Sequence, residues 1–275
     1  MTDLGYRLAA LLSRRLPRRV SNPLAAWCAD LYVATHPCRA RAVRGNLLRA
    51  GVAAPDPRET YRAFARAVRD FLAGAPSPGL TRVEVDADAH RALASARASG
   101  EATLLVSGHF GPWERALQWI AAELGGVDAL ALPHRSPSVE RFFVERRAAA
   151  GVRTLRCARP ALAALELLRG GSWIAALIDR TTAPAAQGGL VPIDRGPLLL
   201  ARRARALVLP GVSWLDREDV LHVRFDAPFS LDPRRGGLPV PQAAARLQSF
   251  FDAHVREHPT QWFDWRAGGM PGAAA

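Results

Sequence analysis

Through most of the chain, short continuous apolar runs alternate with segments whose apolar residues recur at helical spacing. The short runs predict seven strands, at Thr81–Val85, Thr103–Ser107, Ala129–Leu132, Val152–Leu155, Ser172–Ile178, Leu207–Trp214 and Val220–Asp226. Predicted helices lie between or after them, at 87–99, 112–124, 138–150, 160–169, from Gly196 onward and at 240–257. This alternation is typical of an α/β fold with a mostly parallel central sheet flanked by helices.

The first 75 residues follow a helical pattern instead. Residues 3–20 combine large apolar side chains, mostly leucines, with an arginine cluster, which favours a helix lying in a membrane interface, while an ordinary helix packed on the domain is the alternative. A second apolar helix at 24–32 carries Trp27 as a possible interface anchor. We therefore predict a helical, membrane-associating region at 1–75, an α/β domain at 76–267 and a disordered tail at 268–275.

The composition gives the chain a strongly positive net charge and therefore a positive electric field. The 275 residues carry a formal net charge of +12, and all 37 basic residues are arginines. Such a field favours anionic partners, among them a membrane surface, a phosphate-bearing substrate, an acidic carrier protein or nucleic acid. Three unpaired cysteines predict neither a disulfide framework nor a zinc site, and no apolar segment reaches the length of a spanning helix.

The stretch from Leu104 to Glu114 is the strongest candidate for chemistry. A buried strand is followed by Gly108 and Gly111, so His109 lies in a turn, and Glu114 lies in the first turn of the next helix. Within one helix the two side chains would diverge by about 140°, so they can meet only in this strand–turn–helix arrangement. A carboxylate that orients an imidazole is the arrangement of general-base catalysis, and a histidine that merely caps the helix is the alternative.

Other chemistries have less support. The sequence contains no GxSxG element, no P-loop and no GxGxxG motif. Ligands collect at the carboxyl ends of strands in parallel sheets, and both His109 and Asp179 are predicted there.

Several motifs together resemble a known family. The segment from Ser107 to Glu114 is similar to the His-x4-Asp/Glu motif of glycerolipid acyltransferases, in the form found in bacterial lipid A late acyltransferases and phosphatidylinositol mannoside acyltransferases. Four further matches follow the family order, and they are Arg41–Leu47, the R-x3-G element Arg147–Gly151, the strand-end Ile178–Arg180 and the aromatic block His258–Trp265.

The resemblance implies acyl transfer from a thioester of acyl carrier protein or coenzyme A to a hydroxyl of a lysophospholipid or glycolipid. His109 would be the general base and Glu114 its partner, while Arg147 or backbone amides of the turn would stabilise the oxyanion. Substrate-binding roles are implied for Arg147, Asp179, Arg135 and Arg180. Neither a metal nor a cofactor is expected beyond the acyl donor, and nucleic acid is not an expected partner.

The implied location is the cytoplasmic face of the bacterial inner membrane, as a peripheral or monotopic protein. Departures from the family pattern at Pro112 and Arg180, and in a shorter apolar N-terminal segment, leave the acceptor open. A specialised-metabolite or polyketide-derived alcohol is an alternative acceptor, and a non-catalytic protein that binds nucleic acid or an anionic surface is the alternative of another class.

Overall fold

The computed structural model describes residues 3–74, 82–85, 87–134, 136–155, 159–181, 185 and 189–266. The helices in these ranges are α1 (Asp3–Arg15), α2 (Arg18–Thr35), α3 (Pro37–Arg49), α4 (Pro57–Ala73), α5 (Ala87–Ala98), α6 (Trp113–Leu124), α7 (Pro137–Ala148), α8 (Pro160–Arg169), α9 (Gly196–Ala204) and α10 (Val240–Glu257). The strands are β1 (Val83–Val85), β2 (Thr103–Ser107), β3 (Val127–Leu130), β4 (Val152–Thr154), β5 (Trp173–Leu177), β6 (Leu207–Leu215), β7 (Leu221–Phe225) and β8 (Phe229–Ser230).

One sheet joins all of these strands, in the order β1-β7-β6-β2-β5-β3-β4, with β8 paired to the start of β6. The five strands from β6 to β4 are mutually parallel, whereas β7 is antiparallel to β6 and β1 is parallel to β7. The predicted α/β class with a mostly parallel central sheet is thus confirmed.

Both faces of the sheet are buried. Leu104 and Val106 of β2 point into a core that α8, α9 and α10 cover, and Leu105 points into the opposite core beneath α5 and α6. A strand buried on both faces needs apolar residues at successive positions rather than alternate ones, which explains the continuous run in β2.

The N-terminal region differs in detail from its prediction. A single helix over residues 3–20 is wrong, because α1 ends at Arg15 and α2 begins at Arg18. Pro17 lies between them in an extended conformation, and proline cannot donate the amide hydrogen bond that a continuous helix requires. No helix in the described ranges is long and apolar enough to cross a membrane.

Helix α4 links this region to the end of the chain. Asp56 caps its N-terminus by accepting a hydrogen bond from the amide of Arg58 (2.9 Å). Its Phe64 contacts the rings of Phe263 and Trp265. The predicted tail at 268–275 and nearly all of the predicted boundary loop at 74–79 lie outside the described residues.

Candidate active site

Strand register brings His109 and Asp179 together. In the parallel pair β2–β5, Ser107 lies opposite Leu177, so the residues two positions further along each strand end are also neighbours. The amide of Ile178 donates a hydrogen bond to the carbonyl of Ser107 (2.8 Å), which continues the pairing into the turn. The two strand ends therefore deliver an imidazole and a carboxylate to the same point at the carboxyl edge of the sheet.

Two glycines make the turn sterically feasible. A Cβ on Gly108 would lie 2.5 Å from the Phe110 ring and 3.1 Å from the Asp179 Cβ. Gly111 has a φ of +50°, and a Cβ there would lie 2.5 Å from the backbone oxygen of Ser213. Backbone cannot yield as a flexible side chain does, so Gly111 is required. At Gly108 the obstacles are the side chains of Phe110 and Asp179, which are themselves fully buried and have little room to move.

Asp179 holds His109 through two hydrogen bonds. Its Oδ1 lies 2.7 Å from the imidazole Nδ1, and its Oδ2 accepts from the His109 amide at 2.9 Å. Burial raises the pKa of Asp179, but the charge of His109 and these hydrogen bonds outweigh burial and lower it to about 2. An ionised carboxylate only accepts hydrogen bonds, so Nδ1 carries the proton and Nε2 has the free lone pair.

Glu114 does not orient this imidazole. Its carboxylate accepts both Nε (3.0 Å) and Nη2 of Arg147, and the two side chains are each 11% exposed. Burial lowers the pKa of Arg147, but the hydrogen bond and charge of Glu114 raise it above its ordinary value overall. The expected His109–Glu114 contact is replaced by a buried bidentate ion pair that joins α6 to α7.

The C-terminal segment closes the other side of the turn. The amide of Gly111 donates to the carbonyl of Gln261 (2.7 Å), and the amide of Phe263 donates to the carbonyl of His109 (2.9 Å). Ser213 Oγ donates to the carbonyl of Phe110 at 3.0 Å. The polypeptide on both sides of His109 is consequently fixed by bonds to distant parts of the chain.

The family model described as bacterial lipid A biosynthesis acyltransferase matches residues 6–265. The chain belongs to this acyltransferase family. No curated protein matches the chain. The match covers both the turn at His109 and the C-terminal segment that braces it.

In the acyltransferase, contacts among Arg266, Asp264 and Asn46 hold the backbone at Asp179 in place. Arg266 donates to the carbonyl of Asp179 (3.0 Å) and forms a salt bridge with Asp264 (2.7 Å). Asn46 Nδ2 donates to the carbonyls of Asp264 (2.9 Å) and Arg266 (3.0 Å). Sequence analysis assigned no role to Arg266, although Asn46 and Asp264 both belong to the segments that carry the family resemblance.

The expected oxyanion donors are engaged elsewhere. Amides of His109, Phe110 and Gly111 all donate to acceptors within the acyltransferase chain, and Arg147 is neutralised by Glu114. Arg180 is exposed and follows Asp179 directly. Arg135 lies outside the described residues.

An open groove of about 710 Å³ lies on another part of the acyltransferase. Side chains of β1, β6, β7, α5 and α6 line it, including His90, Trp119 and Trp214. Neither His109 nor Asp179 contributes to this groove, so its volume says nothing about the acceptor.

Proposed function

We propose that this acyltransferase moves a fatty acyl group from the thioester of acyl carrier protein or coenzyme A to a hydroxyl of a lysophospholipid or glycolipid. The observation that carries the proposal is the hydrogen bond of 2.7 Å between Asp179 Oδ1 and His109 Nδ1. It fixes the tautomer in which Nε2 accepts a proton, as a general base requires.

In the proposed reaction, Nε2 of His109 removes the proton of the acceptor hydroxyl. The hydroxyl oxygen attacks the thioester carbonyl carbon, a new C–O bond forms, and the C–S bond breaks. The imidazolium then returns its proton to the leaving thiolate. Asp179 stabilises the transient imidazolium by its charge, because it stays ionised throughout the neutral pH range.

Negative charge on the carbonyl oxygen needs a donor near this site. We assign that role to Arg180, which is exposed beside Asp179, since the amides of the turn are occupied. Glu114 and Arg147 then act by holding α6 and α7 in place. Arg135 remains a proposed substrate-binding residue on the strength of the resemblance alone.

A membrane lipid as acceptor agrees with the surface of α1 and α2. Val20, Leu24, Trp27 and Leu31 recur at helical spacing on α2 and are 40–62% exposed, and Leu4 on α1 is 76% exposed. Exposed arginines lie on the same two helices, among them Arg7, Arg14, Arg15 and Arg19. This combination favours peripheral binding to an anionic leaflet, and we propose the cytoplasmic face of the bacterial inner membrane.

The test uses purified full-length protein, a labelled acyl thioester of each donor type and vesicles that contain lysophospholipid or glycolipid. We expect labelled lipid with the wild type and a loss of roughly 10²–10⁴-fold in His109→Ala, the usual contribution of a general base. His90→Ala is the matched control, because His90 is exposed on α5 and lies away from the turn. Full activity in His109→Ala would contradict the proposal.

A further inference from the structure

A small cavity lies where α1 meets α2. Its volume is about 60 Å³, and arginines from four helices line it. Arg14 and Arg18 come from the N-terminal helices, Arg69 comes from α4, and Arg115 comes from the first turn of α6. One water needs about 10–15 Å³ on this measure, so the space suits several waters or one tetrahedral anion.

Positive charge exceeds negative charge around this cavity. Asp70 pairs with Arg69 and with Arg18 (3.3 Å) and also lines the space. Nearby Asp219 is shared between Arg18 (3.8 Å) and Arg66 (3.5 Å). Two carboxylates thus face five arginines once Arg14 and Arg115 are included.

Arg115 shows the imbalance most clearly. Its side chain is 5% exposed, and its hydrogen bond within the described ranges goes to the carbonyl of Gly74 (3.2 Å) rather than to a carboxylate. Arg69 is 7% exposed, and its Nε finds no hydrogen-bond partner in the same ranges. Residues 75–81, which follow Gly74, contain no Asp or Glu in the sequence.

Buried guanidinium groups that outnumber the carboxylates around them are costly, and a bound anion reduces that cost. We infer that this cavity is a phosphate site, which takes a tetrahedral oxyanion between Arg14, Arg69 and Arg115. Guanidinium groups match phosphate oxygens in geometry as well as in charge. The phosphate belongs to a membrane lipid headgroup or to the acyl donor, or it is free in solution. Since binding is measured without turnover, the inference is independent of the proposed acyl transfer.

Thermal unfolding of the full-length protein tests the site, with inorganic phosphate compared against chloride at constant ionic strength. We expect the wild-type midpoint to rise by about 3 °C or more at tenfold excess over the dissociation constant. Arg115→Gln should lose that rise and, in chloride, be at least as stable as the wild type, because it reduces the excess of buried arginines over carboxylates. Arg97→Gln is the matched control, since Arg97 also donates to a backbone carbonyl, that of Glu123 (3.1 Å), but is exposed.

Arg14→Gln carries the same test if Arg115→Gln fails to fold. Arg14 is exposed and donates to the carbonyl of Ala73 (3.1 Å), so its replacement leaves the core intact. An equal rise in the wild type and in Arg14→Gln, or no rise in the wild type, would overturn the inference.

Competition then identifies the source of the phosphate. Displacement of inorganic phosphate by coenzyme A assigns the site to the acyl donor, and displacement by phosphatidylglycerol vesicles but not by phosphatidylcholine vesicles assigns it to an anionic headgroup. Displacement by neither assigns it to free phosphate, and each of the three results upholds the site.

Discussion

Replacement of Asp179 by asparagine tests whether the carboxylate of Asp179, rather than that of Glu114, orients His109. Asparagine keeps the shape of the side chain but has one oxygen acceptor and one amide donor. Asp179 accepts from both the amide (2.9 Å) and Nδ1 (2.7 Å) of His109, and asparagine can satisfy only one of these donors. If its oxygen keeps the amide bond, its NH2 faces Nδ1 and forces the imidazole proton onto Nε2. The base is then blocked.

The structure sets the size of the expected losses in turnover rate and in stability. A general base in the wrong tautomer lowers the turnover rate by about 10³–10⁴-fold. The pKa of Asp179 falls from 3.8 to about 2 on folding, which corresponds to about 2 kcal/mol of stability above pH 4. Because the pKa is lowered, this contribution is present at neutral pH and is lost as the pH falls through 2.

Two measurements check these values. Initial rates of thiol release from the acyl thioester report the turnover, and urea unfolding at neutral pH and near pH 2 reports the stability. Asp194→Asn is the matched control. The Asp194 amide donates to the carbonyl of Ile178 just beyond β5 (2.7 Å), but its carboxylate accepts from the amide of Gly196 (2.9 Å) rather than from His109. Activity of Asp179→Asn within tenfold of the wild type would refute the reasoning, as would a stability difference that does not shrink in acid.

Three further predictions concern other parts of the molecule. Glu114→Gln and Arg147→Gln should each cost about 3–5 kcal/mol in urea unfolding, because each leaves a buried charge unpaired, and the double variant should recover part of that loss. Burial lowers the pKa of His254 to about 3, so wild-type stability should fall by about 1.4 kcal/mol per pH unit from pH 6.5 down to 3, and His254→Phe should remove this component. Leu24→Glu or Trp27→Glu should weaken binding to anionic vesicles by about tenfold or more in flotation assays.

Controls and opposing results are specific to each case. Additive losses in the double variant would show that Glu114 and Arg147 do not compensate each other. An unchanged pH slope in His254→Phe would mean that His254 takes up a proton in the folded state. Leu162→Glu, on the equally exposed Leu162 of α8, should leave vesicle binding unchanged, and equal weakening by it would argue against the surface of α1 and α2 as the membrane contact.

Element positions in the sheet were predictable because buried parallel strands need apolar residues at successive positions. The predictions for β2, α8 and α10 have the same bounds as the structure. For β3 the prediction began two residues late, because its apolar run continues to Leu132, which is 91% exposed, while pairing with β5 starts at Asp128. Composition does not show where along an apolar run the neighbouring strand pairs.

The site was predictable in its residues but not in its pairings. Local spacing placed His109 in a turn and Asp179 at a strand end. That these two meet depends on β2 and β5 being neighbours in register, which is a property of the whole sheet. Arg147 reaches Glu114 from α7. No local signal in either helix predicts whether His109 or Arg147 pairs with the Glu114 carboxylate.

The bonds between the C-terminal segment and the turn also bear on how the protein matures. During synthesis, His109 leaves the ribosome long before Gln261 and Phe263, which supply the acceptor for Gly111 and the donor for the His109 carbonyl. Until those residues emerge, the sheet can form while the turn lacks these two partners. The sheet would therefore form before the turn reaches its final geometry, and His109, the proposed general base, would be held in position only after the segment around Gln261 and Phe263 has docked.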